Sequence, residues 1–386
     1  MNTLRRLPNG LTLVCQTRPG ASTTALGLYW LAGSRFEQAH ETGVAHLLEH
    51  LLLAGRGAAR AALGGEIHAG TGRELIALGG VVPAMEAGVL LALLLEALGR
   101  PDFQALQREW EVIRLERRLV GDSLADTAQA MGWAGHPLGR SIVGDGTSPP
   151  DEATVRDYRQ RLLCGRRLWL VAVGPQSPDW LAERVGWLDQ LAAGEMSDAD
   201  PPPTWQGGWR RRPIADGPGR VLWLMPVVGA GAGVDHALLM LRQLLGGDGA
   251  SLLFQRLREE QGWMYGIDAW LEQYREAGLW GIDIGCEAPR LPAVVAAVTA
   301  TVEALHATPP DPAMCSRLRR GLEARLLLDE ADPARCMARL ARETVYLGAP
   351  LDLDDHRAGL AAVDGEMLRI RLRRAWKDQL RLSLRG

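Results

Sequence analysis

Lysine is almost missing from this chain of 386 residues: Lys377 is the only one, and every other basic residue is an arginine. Phenylalanine is scarce, at 3 residues, although tryptophan reaches 13. Neither bias names a ligand. There is no excess of one charge, since 43 basic and 46 acidic side chains leave a formal net charge of -3. Such a balance sets up no field for a nucleic-acid backbone or an anionic membrane, so neither is expected as a partner. The 5 cysteines (Cys15, Cys164, Cys286, Cys315, Cys336) are scattered and form no CxxC pair. That excludes a disulfide framework and a thiolate zinc site, and no cysteine has a histidine in a recognisable nucleophile arrangement. Reduced thiols and a cytoplasmic location are the expectation. Long apolar runs are also lacking. The stretch from Leu78 to Leu95 is broken by Gly79, Gly80, Pro83 and Glu86, so no membrane span is expected. MNTLRRLPNGLTL at the start has no apolar core for a signal peptide.

What is present is a globular composition, 47% hydrophobic and 23% charged, long enough for two or three domains. Strands are predicted at Leu11–Cys15 after an Asn9-Gly10 turn, at Ala25–Ala32, Leu78–Val82 and Leu168–Val173. Helices are predicted around His46–Leu53, at Ala87–Leu98 and at Phe103–Leu119. After DADPPP and TWQGGWRRRP the succession begins again, with strands at Arg220–Val228, Tyr265–Leu271 and Ala277–Ile284. The helices of that part are predicted at Asp235–Leu245, Leu253–Glu260, Leu291–Ala307 and Pro312–Asp329. The similar order of elements is a duplication signal. It divides the chain into residues 1–200, a Pro/Gly-rich linker 201–213, and 214–386.

The segment His46-Leu47-Leu48-Glu49-His50 carries the chemistry. Residues four apart on a helix share a face, so both imidazoles can reach one cation, with Glu49 beside them. Zinc favours nitrogen ligands, and a carboxylate next to a metal-activated water can act as a base. A third ligand is sought on the Phe103–Leu119 helix, whose EWEVIRLE holds Glu109, Glu111 and Glu116. Glu109 and Glu116 are seven apart and so share a helix face. Ordinary exposed carboxylates are the alternative.

The motif and its surroundings resemble the pitrilysin family of metallopeptidases, which includes insulin-degrading enzyme, mitochondrial processing peptidase and half-length bacterial members. LPNGLTLV, AGSRFE, TGVAHLLEHLLLAG, Gly64-Gly65, EWEVIRLE and HPLGRSIVG (His136 to Gly144) follow in family order. In the second half, LLGGDGASLLFQRLREEQGWMYGI (Leu244 to Ile267) continues the match. The resemblance implies an α+β fold of two homologous domains, each a mainly antiparallel sheet covered by helices. It implies one zinc ion per chain on His46, His50 and Glu116, with Glu49 as general base and Glu109 in support. Arg258 and Tyr265 would hold a substrate carbonyl and stabilise the oxyanion. His68 and Ala69 stand where the family has Asn-Ala, which contacts substrate from an edge strand. The implied activity is endopeptidase cleavage of short or unstructured peptides inside a chamber of two paired chains. The partner would be a second copy or a homologous subunit, and the role either peptide degradation or maturation of a ribosomally made precursor. The competing reading is a non-catalytic, chamber-forming subunit of the same fold.

The chain departs from the family pattern in three places. The stretch from His50 to Glu116 is short, with RGAARAA after Gly55 replacing a longer helix. His68 replaces the asparagine, and Leu53 stands where an aromatic is frequent. The second half has no HxxEH; Asp235 and His236 stand alone in the corresponding helix. The loop Gly246-Gly247-Asp248-Gly249 lacks the Lys and Ser/Thr of a phosphate-binding loop.

Overall fold

A computed structural model describes residues 2–385 other than 121–122, 145, 147–148, 197–200 and 214–217. The chain forms two compact units. The first comprises Met1–Asp122, His136–Asp198 and Leu328–Leu351; the second comprises Ser123–Gly135, Ala199–Leu327 and Asp352–Gly386. The units are therefore not two contiguous halves. Residues 197–200 and 214–217, on either side of the expected linker 201–213, lie outside the described residues, and part of that linker is a strand.

The first unit is built on strands β1 (Asn2–Arg6), β2 (Thr12–Thr17), β3 (Thr23–Trp30), β4 (Glu66–Thr71), β5 (Ile76–Pro83) and β6 (Leu168–Gly174), in the order β1-β2-β6-β3-β5-β4. The second has β7 (Gly208–Pro213), β8 (Gly219–Val228), β9 (Met264–Gln273), β10 (Ala277–Cys286) and β11 (Leu380–Arg385), in the order β7-β11-β8-β10-β9. Without β1 the two orders are the same. Each sheet has one parallel pair, β2 with β6 and β7 with β11, and is otherwise antiparallel. The duplication expected from element order is thus present in strand topology, within an α+β architecture.

Both faces of the first sheet are buried, which explains why its strands do not alternate. On one face Leu13, Leu26, Leu28, Trp30, Leu78 and Leu170 pack with the helices Val44–Leu53, Ala87–Gly99 and Glu152–Leu162. On the other, Val14, Ala25, Trp169, Val171 and Val173 pack against Cys336, Met337, Leu340, Ala341 and Val345. Those last five come from the helix Pro333–Leu347, donated by the second half of the sequence. Asp332 caps that helix by accepting from Ala334 N and Arg335 N, and Gly348, at φ +85°, ends it. The reverse exchange also occurs. The helix Leu124–Gly132 belongs to the second unit, where Gln129 donates to the Tyr274 hydroxyl at 2.9 Å.

One expectation about apolar length needs correcting. The helical stretch Ala288–Ala307 is long and apolar enough for a membrane span by length and composition. Leu291, Val294, Val298 and Val302 nevertheless lie in the core of the second unit. A helix packed inside a sheet-and-helix core passes the same test for that reason.

The donated helix makes the first unit dependent on residues far along the chain. Leu340→Ala should destabilise that unit by about 2–5 kcal/mol, the usual cost of truncating a buried leucine. Urea unfolding followed by tryptophan fluorescence measures this, and an unchanged midpoint would contradict the packing described.

Candidate metal centre

Local sequence accounts for the helix that carries HLLEH. Val44, Ala45, Leu47, Leu48, Leu51 and Leu52 are buried, and His46, Glu49 and His50 occupy the remaining face. Its N-terminus has no side-chain cap from the preceding residue, because Gly43 stands there at φ +85°. Glu37 takes over that role. Its carboxylate accepts from Gly43 N at 3.1 Å and Ala45 N at 2.9 Å. Burial pushes the Glu37 pKa up to about 8, while those two backbone donors and the charge of Arg140 pull it down. Gly144 is packed onto Gly43, and a Cβ there would come within 2.9 Å of the Gly43 Cα. The turn before the helix is laced to the β4–β5 hairpin. Gly33 N donates to Glu74 O at 3.0 Å and Arg35 N to Arg73 O at 2.9 Å, and the buried Arg35 and Glu74 form an ion pair.

The helix Leu106–Val120 buries Trp110 and Ile113 in the same core as the histidine helix. Glu109 and Glu116 flank the buried Ile113 on the same side of this helix, at i−4 and i+3, and reach the imidazoles from there. Glu116 Oε2 lies 3.7 Å from His46 Nε2 and 3.7 Å from His50 Nε2. Glu49 Oε2 lies 3.9 Å from His46 Nε2 and accepts from the Thr71 hydroxyl of β4 at 3.3 Å. Glu109 Oε2 is 3.3 Å from His50 Nδ1, and its other oxygen is held by Arg108.

These distances suit an ion. Four-coordinate zinc with bonds of about 2.1 Å holds its ligands about 3.4 Å apart, so the spacings need to contract only slightly. Among the described residues, His46, Glu49 and His50 form the group whose potential ligand atoms lie within 4.8 Å of one another. Burial, followed by the charge of His50, pushes the His46 pKa down to about 4. The ring is therefore neutral near pH 7, with a lone pair to offer. Burial raises the Glu49 pKa, opposed by His50 and the Thr71 hydroxyl. Glu109 on the far nitrogen of His50 is the carboxylate–histidine arrangement that orients a metal-binding ring.

Comparison with known proteins bears on this geometry. Residues 12–146 match a family described as insulinase (peptidase family M16), and residues 151–322 match one described as the peptidase M16 inactive domain. The chain belongs to peptidase family M16. An uncharacterized zinc protease of Mycobacterium bovis is 26% identical to this M16 chain over 364 residues, covering 89% of it and 83% of the relative. Coenzyme PQQ synthesis protein F of Pseudomonas aeruginosa is 34% identical over 219 residues, covering 51% of this chain and 28% of that protein. A solved structure from Pseudomonas fluorescens, described as a peptidase M16 inactive domain, superposes with a TM-score of 0.89 at 15% identity. It covers 100% of this chain and 98% of its own, and the likeness is one of fold.

The other expected site residues of the M16 chain lie outside the cluster. His68 is exposed on the edge strand β4, with Ala69 partly buried beside it. Arg258 and Tyr265 belong to the second unit. The helix expected at Leu253–Glu260 is a short α-helical turn, Leu252–Phe254, followed by a π-helix, Gln255–Glu260, which bears Arg258. Such segments are frequent at functional positions. Arg258 Nη1 donates to Met264 O at 2.8 Å. Tyr265 is 60% exposed on the edge strand β9, its ring lying over Gly285. His236 begins a helix, His236–Gly246, and packs edge-on to His356 at 5.8 Å between centroids. Thr71, Glu37 and Arg140 were missed by the sequence reading. Arg140 donates to the carbonyls of Arg35 and Glu37. The motifs AGSRFE and HPLGRSIVG had flagged the segments of the last two, and nothing local flagged Thr71.

Two outcomes test the geometry. Zinc titration should saturate at one equivalent per chain, and His50→Ala should abolish that binding. Glu109→Gln should weaken it by about 10- to 100-fold, the usual effect of removing a residue that orients a ligand. Equal zinc affinity in Glu109→Gln and the parent chain would contradict the orienting contact.

Proposed function

We propose that this chain is a zinc-dependent endopeptidase that hydrolyses short or unstructured peptides. The observation that carries the reading is the position of Glu116 Oε2, equidistant at 3.7 Å from the two Nε2 atoms, with Glu49 on the same cluster. His46, His50 and Glu116 would hold one zinc ion. When bound, zinc polarises a peptide carbonyl and lowers the pKa of water.

The remaining steps fall to the chain's own side chains. Glu49, raised in pKa by burial, takes the proton of the attacking water and delivers it to the leaving amine. Thr71 keeps the Glu49 carboxylate oriented through its 3.3 Å hydrogen bond. The peptide adds a strand to the free edge of β4 beside His68 and Ala69, so recognition is mainly through the backbone. Arg258 holds a substrate carbonyl, and the exposed Tyr265 hydroxyl donates to the oxyanion. Two chains pair to enclose the peptide, either as a homodimer or with a homologous subunit. The enzyme works in the cytoplasm, which suits 5 buried, unpaired cysteines. Maturation of a ribosomally made precursor fits the similarity to a relative whose name includes coenzyme PQQ synthesis.

A second reading makes the chain a non-catalytic subunit. The match of residues 151–322 to a domain described as inactive favours it. Residues 151–322 hold no HxxEH, however, and the cluster lies in the residues matched as insulinase.

Glu49→Gln should retain zinc and lose peptide hydrolysis by about two to four powers of ten, the usual worth of a general base. Full activity in that variant, measured with a fluorogenic peptide, would reject the mechanism. Mixing Glu49→Gln chains with Arg258→Ala chains tests the assembly. Recovered activity assigns Arg258 to the partner's site, and none assigns it to its own chain or to a different partner.

A further inference from the structure

The short helix Gly57–Ala61 does something specific to the edge strand. Arg60 reaches from it and donates through Nη2 to Ile67 O on β4 at 3.1 Å. The direction of that carbonyl follows from the pairing. The Glu66 carbonyl faces β5, since a Cβ on Gly80 would come within 2.3 Å of its oxygen. Alternation along a strand then turns the Ile67 carbonyl outward, together with those of Ala69 and Thr71. Arg60 therefore occupies the hydrogen-bonding position at Ile67 that an added strand would use, while among the described residues none covers the outward carbonyls of Ala69 and Thr71. A groove of about 470 Å³ lies here, lined by Gly57, Arg60, Ala61, Glu66, Ile67 and His68 among others. Arg60 is half-buried in it. Among the described residues no carboxylate is paired with the Arg60 guanidinium, which spends one of its five N–H donors on Ile67.

We propose that Arg60 ends backbone pairing along β4 and instead binds a carboxylate of the peptide, making it a specificity residue. The inference rests on the peptide-hydrolase reading above. Thr71 marks the catalytic end of the strand through its bond to Glu49. Ile67 lies four residues away, about 13 Å at the rise of a strand. The recognised carboxylate therefore sits about four residues from the scissile bond. It belongs either to an Asp or Glu side chain or to the peptide's own C-terminus. A planar guanidinium that lines the groove and has donors beyond the one given to Ile67 matches either source.

The test uses the zinc-loaded full chain and a set of unstructured peptides. Each carries one Glu or one Lys at successive positions on either side of the cleaved bond. Each is made with a free or an amidated C-terminus. Glu about four residues from the cleaved bond should raise kcat/KM about tenfold over Lys at the same position. The change should fall mainly in KM. Arg60→Ala should bring that ratio close to one, and Arg60→Glu should invert it. A preference that follows the free terminus rather than the Glu position assigns the carboxylate to the chain end. Binding of labelled peptides to the Glu49→Gln variant, by fluorescence anisotropy, should show the same order without turnover. Should either Arg60 variant not fold, the other and the anisotropy series still decide. A Glu/Lys ratio near one in the parent chain, or one unchanged in Arg60→Ala, overturns the inference. Absence of hydrolysis of every peptide would instead overturn the peptidase reading on which it rests.

Discussion

The candidate metal-binding cluster depends on one apolar contact, the shared core under the histidine and glutamate helices. Leu47, Leu48 and Leu51 enter it from one helix and Trp110 and Ile113 from the other. Burying those leucines leaves His46, Glu49 and His50 on the other face of their helix, while Glu109 and Glu116 flank the buried Ile113 on theirs, so the contact between the helices brings the two sets together. The ionisable side chains between the helices are thereby desolvated without being sealed. His46, Glu49 and His50 are mostly but not fully buried, and Glu116 remains 43% exposed. That partial desolvation lowers the His46 pKa and raises that of Glu49. Both changes suit ligation and proton transfer near neutrality.

The supports of the cluster converge from distant segments. Glu37 caps the histidine helix, Arg140 holds the carbonyls of the turn that carries Glu37, and Thr71 reaches Glu49 from β4. The backbone bonds between Gly33–Arg35 and Gly72–Glu74 tie the turn to the β4–β5 hairpin. Helix, hairpin and the Glu49 carboxylate are thus set by one hydrogen-bonded frame. Any peptide laid along β4 is then set relative to Glu49 by the same frame.

Duplication has left the two units with one strand order and different chemistry. The edge strands β4 and β9 occupy the same place in their sheets. One carries His68, Ala69 and the Thr71 that bonds Glu49, and the other carries the exposed Tyr265 next to the π-helical turn of Arg258. The exchanged helices, Leu124–Gly132 and Pro333–Leu347, each cover a sheet built mainly from the other half of the sequence. Each unit therefore needs residues from both halves of the chain.

Much of this was legible beforehand, for identifiable reasons. HLLEH at helical spacing and the seven-residue interval from Glu109 to Glu116 are local patterns, and helix geometry alone places their side chains on one face. The strands of the first sheet could be read as apolar runs because both faces are buried, and the repeat could be read from element order. Other features depend on partners far apart in sequence. Thr71 became a partner of Glu49 only through the placement of β4 against the histidine helix. The exchanged helices look like any amphipathic helix until the sheet face each one covers is known. The apolar stretch at Ala288–Ala307 could be assigned to a core only once that core existed. The sequence by itself determined which side chains were available for metal chemistry and on which helix faces they lay, since those depend on local periodicity. The tertiary structure alone decided that the two helices meet and that Arg60 covers an edge carbonyl, because long-range packing brings together groups that no local pattern relates.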